Sequence, residues 1–142
     1  MRNMSFALTK KQYLDGSKDV TRRLGWFTLR PWDSIMGVEK GMGLKPGEQI
    51  VRLGAATIIS VRREPLSRMI DDVDYGFEEV RREGFADYPV LQYPREWVKW
   101  FCSRTRDARQ KLLSHASSSS GCCHETHRQA GSLGTWRQKI RP

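Results

Sequence analysis

The segment Ala56-Thr57-Ile58-Ile59-Ser60-Val61-Arg62 constrains the fold more than any other part of this 142-residue chain. Four of its seven residues are β-branched, a side-chain class that is stiff at χ1 and packs well on a pleated surface. Pro65 cannot donate to a ladder and predicts the end of that strand. Upstream, Lys45-Pro46-Gly47-Glu48 predicts a turn and Gln49-Ile50-Val51-Arg52-Leu53 a second strand, with Gly54 as a bend or bulge between the two. Asp19-Val20-Thr21-Arg22-Arg23-Leu24 suits a further strand or its approach, and Ser5-Phe6-Ala7-Leu8 can open another. Arg30-Pro31-Trp32-Asp33 predicts a turn, because proline fixes φ.

Helical signals flank these strands. Lys10 to Leu14 predicts one or two turns closed by Asp15-Gly16. Beyond Leu66, Asp71-Asp72 can cap a helix whose apolar side carries Phe77, Val80 and Phe85, with Gly84 as its stop. Pro94 can occupy the first turn of another helix over Arg95 to Phe101, with Trp97, Val98 and Phe101 on one face. Short strands followed by one or two helices predict an α+β domain or a decorated barrel over residues 4–101.

Composition sets the remaining bounds. An apolar fraction of 38% and an aromatic fraction of 10% are sufficient for one modest core. No stretch approaches the roughly 20 apolar residues of a membrane span. Met1 to Phe6 lacks the apolar run of a signal peptide, so the expectation is a soluble cytoplasmic protein with no membrane partner. The net charge of +9 favours polyanionic partners, but it is uneven. Residues 1–101 hold 17 Lys and Arg against 14 Asp and Glu, whereas residues 102–142 hold 8 against 2. That second segment contains Ser117 to Ser120 and shows neither period 2 nor period 3.6, which predicts a basic, low-complexity, disordered tail. Its three cysteines (Cys102, Cys122, Cys123) read as reduced thiols. The vicinal Cys122-Cys123 in Cys122-Cys123-His124-x-x-His127 lacks the spacing of a zinc site, so no metal or cofactor is expected.

The chemistry concentrates in Gly16-Ser17-Lys18-Asp19-Val20-Thr21-Arg22-Arg23, which fits G-x-K-x-x-x-x-R. Gly16 permits a backbone conformation its neighbours could not adopt. If the segment is extended, Lys18 and Arg22 share one face with Val20, and Thr21 and Arg23 share the other. Lysine supplies a mobile point charge, arginine a planar fork suited to phosphate or a base edge.

This signature resembles that of the ASCH superfamily. Four more blocks occur in the order seen in short ASCH proteins of bacteria and their phages: Val38-Glu39-Lys40, Gly43 to Glu48, Val61 to Leu66, and Arg82-Glu83-Gly84-Phe85. The resemblance covers about residues 4–101. It implies a PUA-like β-barrel with a cleft beside a helix, lined by Lys18, Thr21, Arg23 and Glu83, and it implies binding of RNA, a nucleotide or a nucleoside. The residues expected to contact nucleic acid are Gly16, Lys18, Arg22, Arg23, Trp26 and Lys40. On spacing alone, Glu83 reads as an ordinary helix-end carboxylate.

Two other functions are open. A subset of the superfamily hydrolyses N4-acylated cytidines with a Lys, Thr and Glu set, which Lys18, Thr21 and Glu83 match here. In that case a lysine of lowered pKa deprotonates the threonine hydroxyl, which attacks the amide carbon. The third possibility is a protein-interaction adaptor with a vestigial cleft. Trp26, Phe27 and Trp32 flank the basic stretch and can form a stacking platform, while Trp97 and Trp100 are expected to pack inward.

ASCH proteins of this type finish with a strand that closes the barrel, and Cys102 to Pro142 offers no good counterpart. Thr135-Trp136-Arg137-Gln138-Lys139-Ile140 is the nearest candidate. The expectation is an out-of-frame or recombined end and an unpaired sheet edge.

Overall fold

A computed structural model describes residues 1–104 and 134–141. Its elements run β1 (Arg2–Ser5), α1 (Lys10–Leu14), β2 (Val20–Arg23), β3 (Ser34–Val38), β4 (Arg52–Pro65), α2 (Arg68–Asp71), α3 (Val73–Arg82), α4 (Pro94–Arg104) and β5 (Gly134–Arg141). The strands form one curled, half-barrel sheet in the order β1-β3-β4-β5-β2. Only the β1–β3 pair is parallel. The architecture is therefore α+β with a barrel-like sheet. Among the described residues, no helix is long and apolar enough to cross a membrane.

The β-branched run forms the spine of this sheet. The two strands expected on either side of Gly54 are one: β4 runs unbroken from Arg52 and ends at Pro65. Gly54 adopts φ +141° beside a register shift between Gly37 and Val38 of β3, so it bends the strand rather than ending it. The first part of β4, from Arg52 to Thr57, pairs with β3, and from Thr57 to Pro65 it pairs with β5. This handover curls the sheet.

The expectation of a missing closing strand is overturned. Gly134 to Arg141 lies between β4 and β2, with Arg137 opposite Arg22 and Gln138 opposite Thr21. Cys102 to Arg104 complete α4 rather than beginning a tail. The Ser-rich run and Cys122 to His127 lie outside the described residues.

The helices follow their sequence signals closely. Asp72 Oδ1 accepts from the Tyr75 N–H at 3.1 Å and caps α3. Gly84 stops it with φ +89°. The buried face of α3 is displaced from the expected one: Gly76, Glu79 and Val80 are buried, while Phe77 is exposed.

Two apolar clusters result. One fills the curl of the sheet with Met4, Phe6, Tyr13, Leu29, Ile35, Ala56, Ile58 and Ile140. The other gathers Leu66, Met69, Val80, Phe85, Trp97, Val98, Phe101 and Cys102 among the helices.

Candidate functional site

The outer strands of a half-barrel, β1 and β2, are not paired with each other. A cavity of about 250 Å³ opens where their ends approach. Ser5, the last residue of β1, and Phe6 to Thr9 after it form one wall, and Lys18, Thr21, Arg22 and Arg23 form the wall opposite. Glu83 and Phe85, just past α3, and Trp97, Trp100, Phe101 and Arg104 of α4 complete it. Arg23 Nη2 donates to the Ser5 carbonyl, so a side chain bridges the seam that no backbone ladder closes.

Lys18 reaches this cavity because it is not yet in a strand. Gly16, at φ +78°, turns the chain after α1, and the Lys18 N–H donates to the Gln12 carbonyl at 2.9 Å. Regular extension begins only at Val20. The alternation expected from Lys18 onward is thereby broken, and Lys18 shares a cavity with both Thr21 and Arg23. Lys18 and Arg23 also share the Phe6 ring, their charged ends 5.8 Å and 5.6 Å from its centroid.

Glu83 is no ordinary helix-end carboxylate. It is 3% exposed. Lys18 Nζ donates to its Oε2 at 3.0 Å and to its carbonyl oxygen at 2.6 Å. Burial draws the Lys18 ammonium below the ordinary lysine range, and the Glu83 carboxylate opposes that shift. Thr21, buried in β2, lines the same cavity.

Arg22 belongs to a different structure. Its terminal nitrogens donate to Glu79 Oε2 at 2.6 Å, Glu64 Oε2 at 2.8 Å, Tyr75 Oη at 3.3 Å and Glu83 Oε1 at 3.4 Å. Arg137 of β5 forks onto Glu79 at 2.6 Å and 2.7 Å. Burial alone would push the Glu79 carboxyl up, yet the two arginines hold it down at about 2. These contacts lock α3 to β2, β4 and β5 and stand directly behind the Lys18–Glu83 pair. Arg22, expected to contact nucleic acid, lines the cavity while committing its donors to this network.

The remaining expected contacts lie elsewhere. Lys40 is half-exposed and pairs with Glu48 at 3.1 Å, away from the cavity lining. Trp26 packs against the sheet cluster with the Arg2 guanidinium 5.0 Å from its ring. Trp32 is exposed at φ +74°. The aromatic wall consists instead of Phe6, Phe85, Trp97, Trp100 and Phe101. Trp97 and Trp100 do face inward, and what they face is the cavity.

Sequence reasoning missed Glu79, Glu64, Arg137 and Arg104. The one signal available was Glu79 four residues before Glu83, a spacing that puts two carboxylates on one helix face. Among the described residues, no group of three or more His, Cys, Asp or Glu side chains could hold a metal ion. No protein family, curated protein or solved structure matches this chain.

Proposed function

We propose that the seam cavity binds RNA or a nucleotide, the role implied by the resemblance to the ASCH superfamily. One observation carries this reading: Lys18, Thr21 and Arg23 of the signature and the sequence-distant Glu83 meet on a single cavity walled by aromatic rings. Aromatic faces stack bases without regard to sequence, and arginine forks suit phosphate. At about 250 Å³ the cavity lies just below the usual ~300–1,000 Å³ of ligand pockets, which suits one base-and-sugar unit rather than a long strand. The test is a thermal-shift panel of nucleosides, nucleotides and short oligoribonucleotides, followed by RNA affinity measured against salt. Binding through phosphate predicts a falling log–log plot. A flat plot, or no shift with any probe, favours the adaptor reading.

The second reading, hydrolysis of N4-acylated cytidine, is favoured by the desolvated Lys18 bonded to Glu83 beside Thr21. A lysine whose charged form is disfavoured is readier to take the threonine proton. The threonine oxygen then bonds to the acyl carbon, the C–N bond breaks as the nitrogen takes that proton from Lys18 and cytidine leaves, and water later hydrolyses the ester, releasing the acid and restoring the hydroxyl. Release of cytidine from N4-acetylcytidine, abolished by Lys18→Ala and by Thr21→Ala, is the expected result. No turnover by the unaltered protein retires it.

A further inference from the structure

Charge accounting separates the cations around the cavity into two kinds. Lys18, Arg22 and Arg137 are buried against Glu64, Glu79 and Glu83, three against three, and the more exposed Arg68 and Arg82 reach Glu64 and Glu79 from the rim, Arg82 also pairing with Asp19. Every cation of that layer is already engaged by a carboxylate. Arg23 and Arg104 are different: both line the cavity, and neither has a carboxylate partner among the described residues. Arg104 is exposed and lies 5.7 Å from the centroid of the Trp100 ring, held by α4. Arg23 donates one nitrogen to Ser5, while its buried Nε has no partner. Trp97, 1% exposed and also lining the cavity, leaves its Nε1–H without a partner as well. A buried N–H lacking an acceptor is unfavourable, so this wall is short of acceptors as well as of negative charge. An oxyanion supplies both.

We infer that the occupant of the cavity is a single nucleotide unit whose phosphate is held by Arg23 and Arg104, while Lys18, Glu83 and Thr21 face its base or sugar. This rests on the nucleotide-binding reading and deepens it: the phosphate is required, and the lysine of the signature is not what holds it. Lys18 is bonded directly to Glu83, whereas Arg23 feels that carboxylate only through space and keeps its Nε without an acceptor.

The phosphate can come from a mononucleotide or from RNA, and calorimetry distinguishes the two. The probes are the four common ribonucleosides, their 5′- and 3′-monophosphates, inorganic phosphate alone, and a short oligoribonucleotide. The expected result is that at least one monophosphate binds about tenfold or more tightly than its nucleoside, a gap of about 1.4 kcal/mol. In Arg104→Gln, whose site is exposed, that ratio falls to about threefold or less. Arg23→Gln lowers it further, checked by its melting curve. Equal affinity of nucleoside and monophosphate, or an unchanged ratio in Arg104→Gln, overturns the inference and leaves nucleotide binding standing. So does binding of the oligoribonucleotide with no mononucleotide bound. If no probe binds at all, both the inference and the proposed function fall.

Discussion

The curl of the sheet and the face it turns toward α3 are both buried, yet they are built on opposite principles. Inside the curl, Met4, Ile35, Ile58 and Ile140 are fully or almost fully buried and wholly apolar. Against α3, β2 and β5 present Arg22 and Arg137 to Glu79, Arg22 reaches Glu83 as well, and β4 presents Glu64 to Arg22 and to the Tyr75 hydroxyl. Apolar packing is non-directional and tolerates exchange of similar shapes. A desolvated ion network tolerates little, because removing one member strands its partners. The sheet's position is thus secured by apolar packing, whereas the placement of α3, and with it Glu83, is secured by charge.

The largest effect that would break this contrast comes from Glu79. Glu79→Gln leaves Arg22 and Arg137 without their shared carboxylate, and denaturant unfolding should show a loss of about 3–5 kcal/mol. A loss below about 1 kcal/mol would mean that the network does not hold the helix.

Acid probes the same group with no mutation. Glu79 sits at about 2 in the folded chain against an ordinary 4.5, so its folded value is depressed. Its contribution is complete above about pH 4.5 and fades as pH falls towards 2. It amounts to about 3 kcal/mol at one decade per 1.36 kcal/mol. Melting temperature followed from pH 6 down to 2 should drop steeply in the unaltered protein and less steeply in Glu79→Gln.

Ile58→Val removes one methyl from the apolar curl. It should cost about 0.5–1.5 kcal/mol by the same denaturant measurement and leave ligand affinity unchanged. The smallest effect belongs to Lys40→Ala. Its surface pair with Glu48 contributes under about 1 kcal/mol, and RNA affinity should barely move because Lys40 does not line the cavity.

The same division decides what could be read from the sequence. Apolar elements announce themselves. The β-branched run of β4, the capping Asp72 and the Trp97-Val98-Phe101 face of α4 were all legible because their cause is local. The ion layer was not. In β5 the buried positions include Thr135, Arg137 and Gln138, so the strand shows no apolar alternation and resembles loop sequence. Arg137 is tolerated there only because Glu79, 58 residues away in the chain, meets it. Glu83 looked like a routine helix end for the same reason: its partner Lys18 is 65 residues distant. Lys18, Thr21, Arg23 and Glu83 were singled out through family resemblance, and the convergence of those four on one cavity is a property of three dimensions alone. The aromatic wall was misplaced to Trp26 and Trp32 because nearness in sequence stood in for nearness in space.

The placement of β5 also sets an order of assembly. β2, at residues 20–23, finds its antiparallel partner only in residues 134–141. A nascent chain that has already made the signature loop must therefore keep β2 waiting until more than a hundred further residues have been synthesised. Such long-range pairing slows folding and prolongs exposure of an unpaired strand. The cavity walls contributed by Lys18 and Thr21 thus acquire their final position late, after the helices that face them can already have packed.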